Sequence, residues 1–205
     1  MAEVRPVPLS HYIALRSDHV VAQAFWIVAF AACTAIGAQV EIPHYPVPYT
    51  FQTFFVLLAG GLLGRRNGFL SMLTYLGMGA IGLPVFSAAG AGLARLLGPT
   101  GGYLLSFPIA AYMIGYLISL RPQVALQIDG KVKRLMAAYG WTAGAMSLGL
   151  LLIFLLGTLQ LNAVYLHNWT LSFQSGFLIF SWWDILKLAA AVAVCKELSR
   201  SWSVT

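Results

Sequence analysis

Residues 177–195 read FLIFSWWDILKLAAAVAVC, an apolar run that contains one acid, Asp184, and one base, Lys187. A helix needs about 20 apolar residues to cross the hydrocarbon of a bilayer. Charged side chains are costly in lipid and persist where they pair, face a cavity or hold a ligand. On a helix, positions i and i+3 share a face. The run therefore predicts a membrane-spanning helix in which both groups point at one binding site.

The composition of the whole chain is that of an integral membrane protein. Of its 205 residues, 60% are hydrophobic and 9% are charged, whereas a soluble domain carries roughly 25% charged residues. The mean hydropathy is +0.80. So few charges cannot cover a water-soluble core of this size. Cys33 and Cys195 lie far apart in apolar runs, which favours packing over a disulfide or a metal site.

Six apolar runs have the length, or nearly the length, of a membrane-spanning helix. They cover residues 21–40, 50–64, 68–86, 102–120, 137–162 and 176–195. The second run is short and contains glycine, so its ends are the least well defined. The alternation at about ten-residue spacing that marks an outer-membrane barrel does not occur. The predicted fold class is an all-α integral membrane protein with six transmembrane helices.

The basic residues predict how these helices are oriented. If the N-terminus is cytoplasmic, ten of the twelve basic residues fall on the inside, namely Arg5, Arg16, Arg65, Arg66, Arg121, Lys131, Lys133, Arg134, Lys196 and Arg200. Only Arg95 falls in an outside loop. The positive-inside rule then predicts N-in and C-in, with cytoplasmic tails at 1–20 and 200–205 and one membrane domain at 21–199. The net charge of +6 follows from this topology and from contact with anionic lipids, without nucleic acid.

This topology places Asp184 and Lys187 near the outer face, where two long connections also lie. One is QVEIPHYPVPYTFQ (39–52), in which three prolines enforce an extended, non-helical chain. The other is FSAAGAGLARLLGPTGGY (86–103), whose glycines let backbone N–H groups approach a ligand. Irregular backbone at membrane depth is tolerated where it lines a cavity. The three features together predict one external pocket.

Two stretches of the chain strongly resemble the BioY family, the biotin-specific substrate-binding subunits (S-components) of energy-coupling factor (ECF) transporters. They are PVPYTFQTFFVLLAGGLLGRRNGFLSMLTYLGMGAIGLPVF (46–86) and GPTGGYLLSFPIAAYMIGYL (98–117), and WWDILKL (182–188) adds a third match. The resemblance implies a six-helix, N-in membrane protein that captures biotin from outside. It also implies three partner subunits, one transmembrane coupling subunit and two ATPase subunits. No cofactor is expected.

The resemblance also implies roles for individual residues. Lys187 would pair with the carboxylate of biotin, and Asp184 would orient Lys187 or accept a hydrogen bond from the ligand. The rest of biotin would contact aromatic, polar and glycine residues of the two loops, namely Phe86, Tyr103, Gln52, Thr50, Ser87, Gly101 and Gly102. In ECF S-components an alanine-rich face of the first helix docks the coupling subunit, which implies that role for Ala31 and Ala35.

Several structural alternatives stay open for these residues. Asp184 and Lys187 could instead form a structural pair whose charges neutralise each other without contacting a ligand. Gln52 could be a hydrogen-bond anchor between helices. Tyr103 suits the aromatic belt at a membrane interface, and Phe86 suits the core. The small residues of the first helix suit packing within the bundle itself.

The chain lacks a phosphate-binding loop of the G-x-x-x-x-G-K-[ST] type, so it cannot bind ATP through such a loop and the energy for uptake against a gradient must come from elsewhere. It also lacks the motifs of zinc proteases and serine hydrolases, which argues against an enzyme. The remaining alternatives are an S-component for another small vitamin, a stand-alone biotin permease and a small membrane enzyme.

Overall fold

The structure, a computed structural model, describes residues 20–120, 131–178 and 182–201, and these are predominantly helical. The helices in chain order are α1 (Val20–Gln39), α2 (Gln52–Leu58), α3 (Gly64–Ala80), α4 (Leu93–Leu97), α5 (Gly101–Ser119), α6 (Lys131–Leu161), α7 (Trp169–Ser172) and α8 (Trp182–Ser201). Wider π-helical turns continue three of them, at Ala59–Leu63 after α2, Asn162–Leu166 after α6 and Phe173–Phe177 after α7. A short antiparallel pair joins β1 (Glu41–Ile42) to β2 (Tyr49–Thr50).

Within the described residues, three helices are long and apolar enough to cross a membrane. They are α1, α5 and the stretch Met136–Leu166. The pair Trp169–Phe177 and Trp182–Leu198 counts as a fourth if it forms one bent span. The last predicted run, 176–195, is thus shifted, because α8 begins at Trp182 and continues to Ser201. The predicted tail residues 1–19 and 202–205 lie outside the described residues, as do residues 121–130, which include Arg121.

The second and third predicted runs form shorter helices than the sequence indicates. The seven residues of α2 and the five of its π turn end at Leu63, and α3 has 17 residues. The third run was predicted to reach residue 86, but α3 ends at Ala80. It ends there because Gly82 has a φ of +101° and Pro84 follows, and neither continues a helix.

The chain turns between α2 and α3 at Gly64, whose φ of +76° is readily adopted only by glycine. Close backbone packing holds this turn. A methyl group on Gly68 would lie 2.9 Å from the Ala59 carbonyl oxygen, and one on Gly60 would lie 2.7 Å from the Ala111 carbonyl oxygen in α5. Small residues therefore let α3 and α5 pack against the end of α2, as is common where helices associate in membranes.

Helix α1 packs on α2 and α3 through its small and polar side. The Ser71 hydroxyl in α3 donates to the carbonyl oxygen of Ile27 at 2.8 Å. Ala31 is completely buried in the core and Ala35 is half-buried against it. Large apolar side chains on the other side of α1 are exposed, for example Phe25. Of the two alanines assigned to partner docking, Ala31 is therefore used for packing within the bundle.

Candidate functional site

Asp184 and Lys187 lie in the first turns of α8 and are almost fully buried, with 2% and 5% of their surface exposed. The Lys187 Nζ lies 2.6 Å from the Asp184 Oδ1. The two groups meet because positions i and i+3 of a helix share a face. A buried charge is tolerated when it is paired and hydrogen-bonded. The pair thus exists in the folded chain, as the sequence predicts.

Lys187 also connects α8 to the beginning of α2. Its Nζ donates to the carbonyl oxygen of Thr50 at 3.0 Å and to the Oγ1 of Thr53 at 2.9 Å. A lysine ammonium has three N–H donors, and Asp184 and these two oxygens provide three acceptors. Thr53 is not among the residues predicted from the sequence, although its i, i+3 spacing from Thr50 at the start of a helix is a signal for it.

A second chain of hydrogen bonds starts at Thr50. Its hydroxyl donates to the Oε1 of Gln52 at 2.8 Å, and the Nε2 of Gln52 donates to the hydroxyl of Tyr75 in α3. The Tyr75 hydroxyl in turn donates to the carbonyl oxygen of Val85 at 3.1 Å. Gln52 therefore anchors α2 to α3, which is the alternative that the sequence left open for it. Tyr75 was missed because its partner lies 23 positions away in sequence.

A cavity, which we call the inner cavity, lies beside these hydrogen bonds. It lies between α2, α5, α6, α8 and the two loops and is partly open to solvent. Its polar side carries the Lys187–Asp184 pair, and its apolar wall comes from α5 and α6. The lining residues are Val47, Pro48, Tyr49, Thr50, Gln52, Thr53, Ser87, Thr100, Tyr103, Leu104, Phe107, Ile153, Phe154, Asp184 and Lys187. A concave, mostly apolar space with a few convergent polar groups is typical of a small-molecule site.

Six of the nine residues assigned to substrate binding line the inner cavity, namely Thr50, Gln52, Ser87, Tyr103, Asp184 and Lys187. Three do not. Phe86 is buried beneath the loop, with its ring 5.5 Å from that of Tyr75, so its place is the core. Gly101 and Gly102 instead let α5 pack closely on its neighbours. A methyl group on Gly102 would lie 2.5 Å from the Leu156 carbonyl oxygen in α6.

Tyr103 lies inside the bundle and not in an interfacial belt, since only 7% of its surface is exposed. Its hydroxyl donates to the carbonyl oxygen of Gly176 at 2.8 Å. The apolar lining residues Phe107, Ile153 and Phe154 were missed by the sequence analysis. Nothing in a helix that is apolar on all sides distinguishes a cavity-facing side chain from a lipid-facing one.

A second space, which we call the open cleft, adjoins the inner cavity on the loop side. It is lined by Glu41, Pro43, His44, Tyr45, Pro48, Ser87, Ala88 and Arg95. Pro48 and Ser87 line both spaces. The two residues therefore stand between the cleft and the cavity.

The turn that carries Ser87 has an unusual backbone. Ala88 and Ala89 both have a φ of 52°, a left-handed conformation that costs a residue with a side chain about 1–2 kcal/mol. The side chain of Gln39, at the end of α1, holds this turn. Its Nε2 donates to the Phe86 carbonyl oxygen at 3.0 Å, and its Oε1 accepts from the Ala89 N–H at 3.1 Å. The sequence gives no signal for this clamp.

Comparison with known proteins finds relatives of this chain. The sequence profile of the BioY family matches residues 10–204. The chain is 36% identical to a biotin transporter BioY from Thermotoga maritima over 171 residues, which are 83% of this chain and 92% of the relative. It is 40% identical to a probable biotin transporter BioY from Pyrococcus horikoshii over 172 residues, 84% of this chain and 93% of that one.

The fold also matches a solved structure. The crystal structure of the S-component for biotin from an ECF-type ABC transporter superimposes with a TM-score of 0.74 at 25% identity. The match covers 88% of this chain and 92% of that chain.

Proposed function

Because this chain belongs to the BioY family, we propose that it is the biotin-binding S-component of an ECF-type transporter and takes up biotin. The observation that carries the proposal is the inner cavity, in which a buried ammonium group stands opposite an apolar wall. Biotin likewise has a charged end and an apolar part, since it joins an anionic carboxylate to an aliphatic chain and a compact bicyclic ring.

We propose that Lys187 binds the carboxylate of biotin. All three of its donors have acceptors without a ligand, so the carboxylate must replace one of them. The hydroxyl of Thr53 is the acceptor that gives way, because it is neutral and can rotate away. A carboxylate adds the Coulomb attraction of a second, opposite charge to the hydrogen bond with the ammonium group, which a neutral hydroxyl does not provide, so the exchange favours the ligand. The first turn of α8 adds a helix dipole that favours an anion.

The remaining contacts follow from the lining of the cavity. The aliphatic chain would lie along Leu104, Phe107 and Phe154, and the ring would pack beside Tyr103. Hydroxyl and amide groups of Thr50, Gln52 and Ser87 would pair with the ureido group. Asp184 would hold Lys187 in place and remain its partner when the ligand is bound.

The orientation in the membrane is part of the proposal. The inner cavity lies at the start of α2, and the basic pair Arg65 and Arg66 lies just beyond the other end of that segment. The positive-inside rule then turns the cavity outward. We propose six spans in the cytoplasmic membrane with both termini inside, α2 and α3 being the second and third, all in one domain at 21–199. An ECF coupling subunit and two ATPase subunits would complete the transporter, with the side of α1 that carries Ala35 as the docking face.

Two measurements test this proposal. Equilibrium titration of the purified protein should show tight binding of biotin and no comparable binding of other vitamins such as riboflavin. Uptake of labelled biotin into vesicles, with and without the ATPase and coupling subunits, separates an S-component from a stand-alone permease. Absence of tight biotin binding would rule out the proposed function. Equal uptake in both kinds of vesicle would favour the permease.

A further inference from the structure

The open cleft carries a cation that the proposed function does not use. We propose that the cleft is a first binding site for the substrate, in which Arg95 receives the carboxylate before the ligand enters the inner cavity. The inference rests on the proposed function, because it assumes that a carboxylate ligand occupies the cavity. It concerns a different residue and a different step, capture from solution, not final binding.

Arg95 is placed to serve as such a receptor. It lies in α4, its side chain is exposed, and within residues 20–120, 131–178 and 182–201 it forms no ion pair or side-chain hydrogen bond. A guanidinium group presents five N–H donors in a planar fork that matches a carboxylate. An arginine that faces an open cleft without a partner is therefore available to an anion from solution.

Gly90 leaves room for this guanidinium group. A methyl group on Gly90 would lie 2.6 Å from the Arg95 Nε and 3.0 Å from its Cζ. The arginine side chain thus lies directly against the Ser87–Ala89 turn, in space that only a glycine leaves free. In the structure the charge therefore lies beside the residues that line both the cleft and the cavity.

The passage itself is short, because Ser87 and Pro48 line both spaces. The Ser87 side chain is mostly buried, and its hydroxyl has no hydrogen-bond partner in the part of the chain that the structure describes. A ligand held by Arg95 would therefore meet a free hydroxyl group at the entrance to the cavity.

A charge of the opposite sign lines the same cleft. Glu41 contributes a carboxylate whose Oε2 is shielded from solvent and, among the described residues, lacks a hydrogen-bond partner. This charge repels an anionic ligand, whereas Arg95 attracts it. Charges around a binding cleft act mainly on the association rate and its salt dependence. The two residues should therefore change the association rate of a carboxylate in opposite directions.

The test is the association rate of biotin with the purified protein, measured by stopped flow at low and high ionic strength. Arg95→Gln should lower the rate roughly 3- to 10-fold at low salt, a modest part of the range for electrostatic steering, and leave the dissociation rate unchanged. Glu41→Gln should raise the association rate. Both effects should vanish at about 1 M salt, where the Debye length is near 3 Å.

Three controls isolate the charge of the cleft. Arg95→Lys keeps the charge and should keep most of the rate. Arg66→Gln removes a charge at the far end of α2 and should change nothing. Biotin methyl ester, used at concentrations scaled to its affinity, lacks the carboxylate charge and should associate equally fast with all variants.

The inference is overturned if Arg95→Gln binds biotin as fast as the unchanged protein, or if the ester is slowed as much as biotin. A general folding defect would appear as a lower number of binding sites and as a failure of Arg95→Lys to restore the rate, and that pattern also counts against the inference. Failure of the proposed function looks different, because the unchanged protein then binds no biotin.

Discussion

Replacing Lys187 and Asp184 singly and together separates a binding role from a purely structural role of the pair. Both side chains are almost fully buried, and their charged atoms are 2.6 Å apart. Removing one partner of such a pair costs about 3–5 kcal/mol of stability, because the other charge stays buried without compensation. Replacing both by apolar residues of similar volume is often close to neutral. Lys187→Met and Asp184→Asn should therefore both lower stability, and Asp184→Leu combined with Lys187→Met should recover a large part of it.

The biotin affinities of these variants should not follow their stabilities. Loss of a buried, hydrogen-bonded charge contact to a ligand costs about 2 kcal/mol or more, which is roughly 30-fold in Kd. Lys187→Met should lose this amount, and the double variant should lose it too, although its stability is restored. Asp184→Asn keeps the ammonium group and removes a like charge near the ligand, so it should bind at least as tightly as the unchanged protein.

Thermal unfolding in detergent, with and without biotin, measures stability and affinity in one experiment. At a biotin concentration of about 1,000 times Kd the ligand adds about 4 kcal/mol of stability. A variant with 30-fold weaker binding should gain only about 2 kcal/mol from the same concentration. Isothermal titration gives the Kd independently. If the double variant binds biotin like the unchanged protein, Lys187 is a structural residue and the proposed carboxylate contact is wrong.

Three further predictions follow from single contacts. Thr53→Val should lower the stability of the ligand-free protein by about 1 kcal/mol, because one Lys187 donor loses its acceptor. Titration should nevertheless show equal or tighter biotin binding. Weaker binding would contradict the proposed exchange of acceptors at Lys187. Gln52→Leu and Tyr75→Phe should reduce biotin affinity equally if Gln52 is only an anchor, whereas a larger loss for Gln52→Leu would show ligand contact. Gly102→Ala should destabilise the protein by about 1–3 kcal/mol through overpacking against α6. Gly77→Ala is the control, because no atom lies within 4 Å of its added methyl group. It should leave the thermal midpoint unchanged or raise it.

The sequence predicted two of the long helices closely. Runs 21–40 and 102–120 differ by one residue at each end from α1 and α5, because unbroken apolar stretches define such helices locally. The bounds of α2 and α3 depend on the turn at Gly64, which is held by packing against α5. A pattern along the chain does not contain that contact.

Some residues of the candidate site could likewise be predicted from the sequence, and others could not. Lys187, Asp184 and Gln52 were predicted because polar groups stand out in an apolar sequence, and the structure places them in one cavity lining. Tyr75 and Gln39 were missed because their roles depend on partners 23 and 47–50 positions away. The left-handed backbone at Ala88 could not be foreseen either, since alanine rarely adopts it.

The contact between Lys187 and Thr53 joins residues 134 positions apart in the chain, and this separation has a consequence for biogenesis. A ribosome releases the helix that carries Lys187 long after α2 has entered the bilayer. Until then the Thr50 carbonyl and the Thr53 hydroxyl lack the ammonium group that they bind in the finished protein. A truncated or stalled chain would therefore have no functional site and would expose polar groups to lipid, where they are costly. Insertion of α8 brings Lys187 to these two oxygens and so completes the set of contacts.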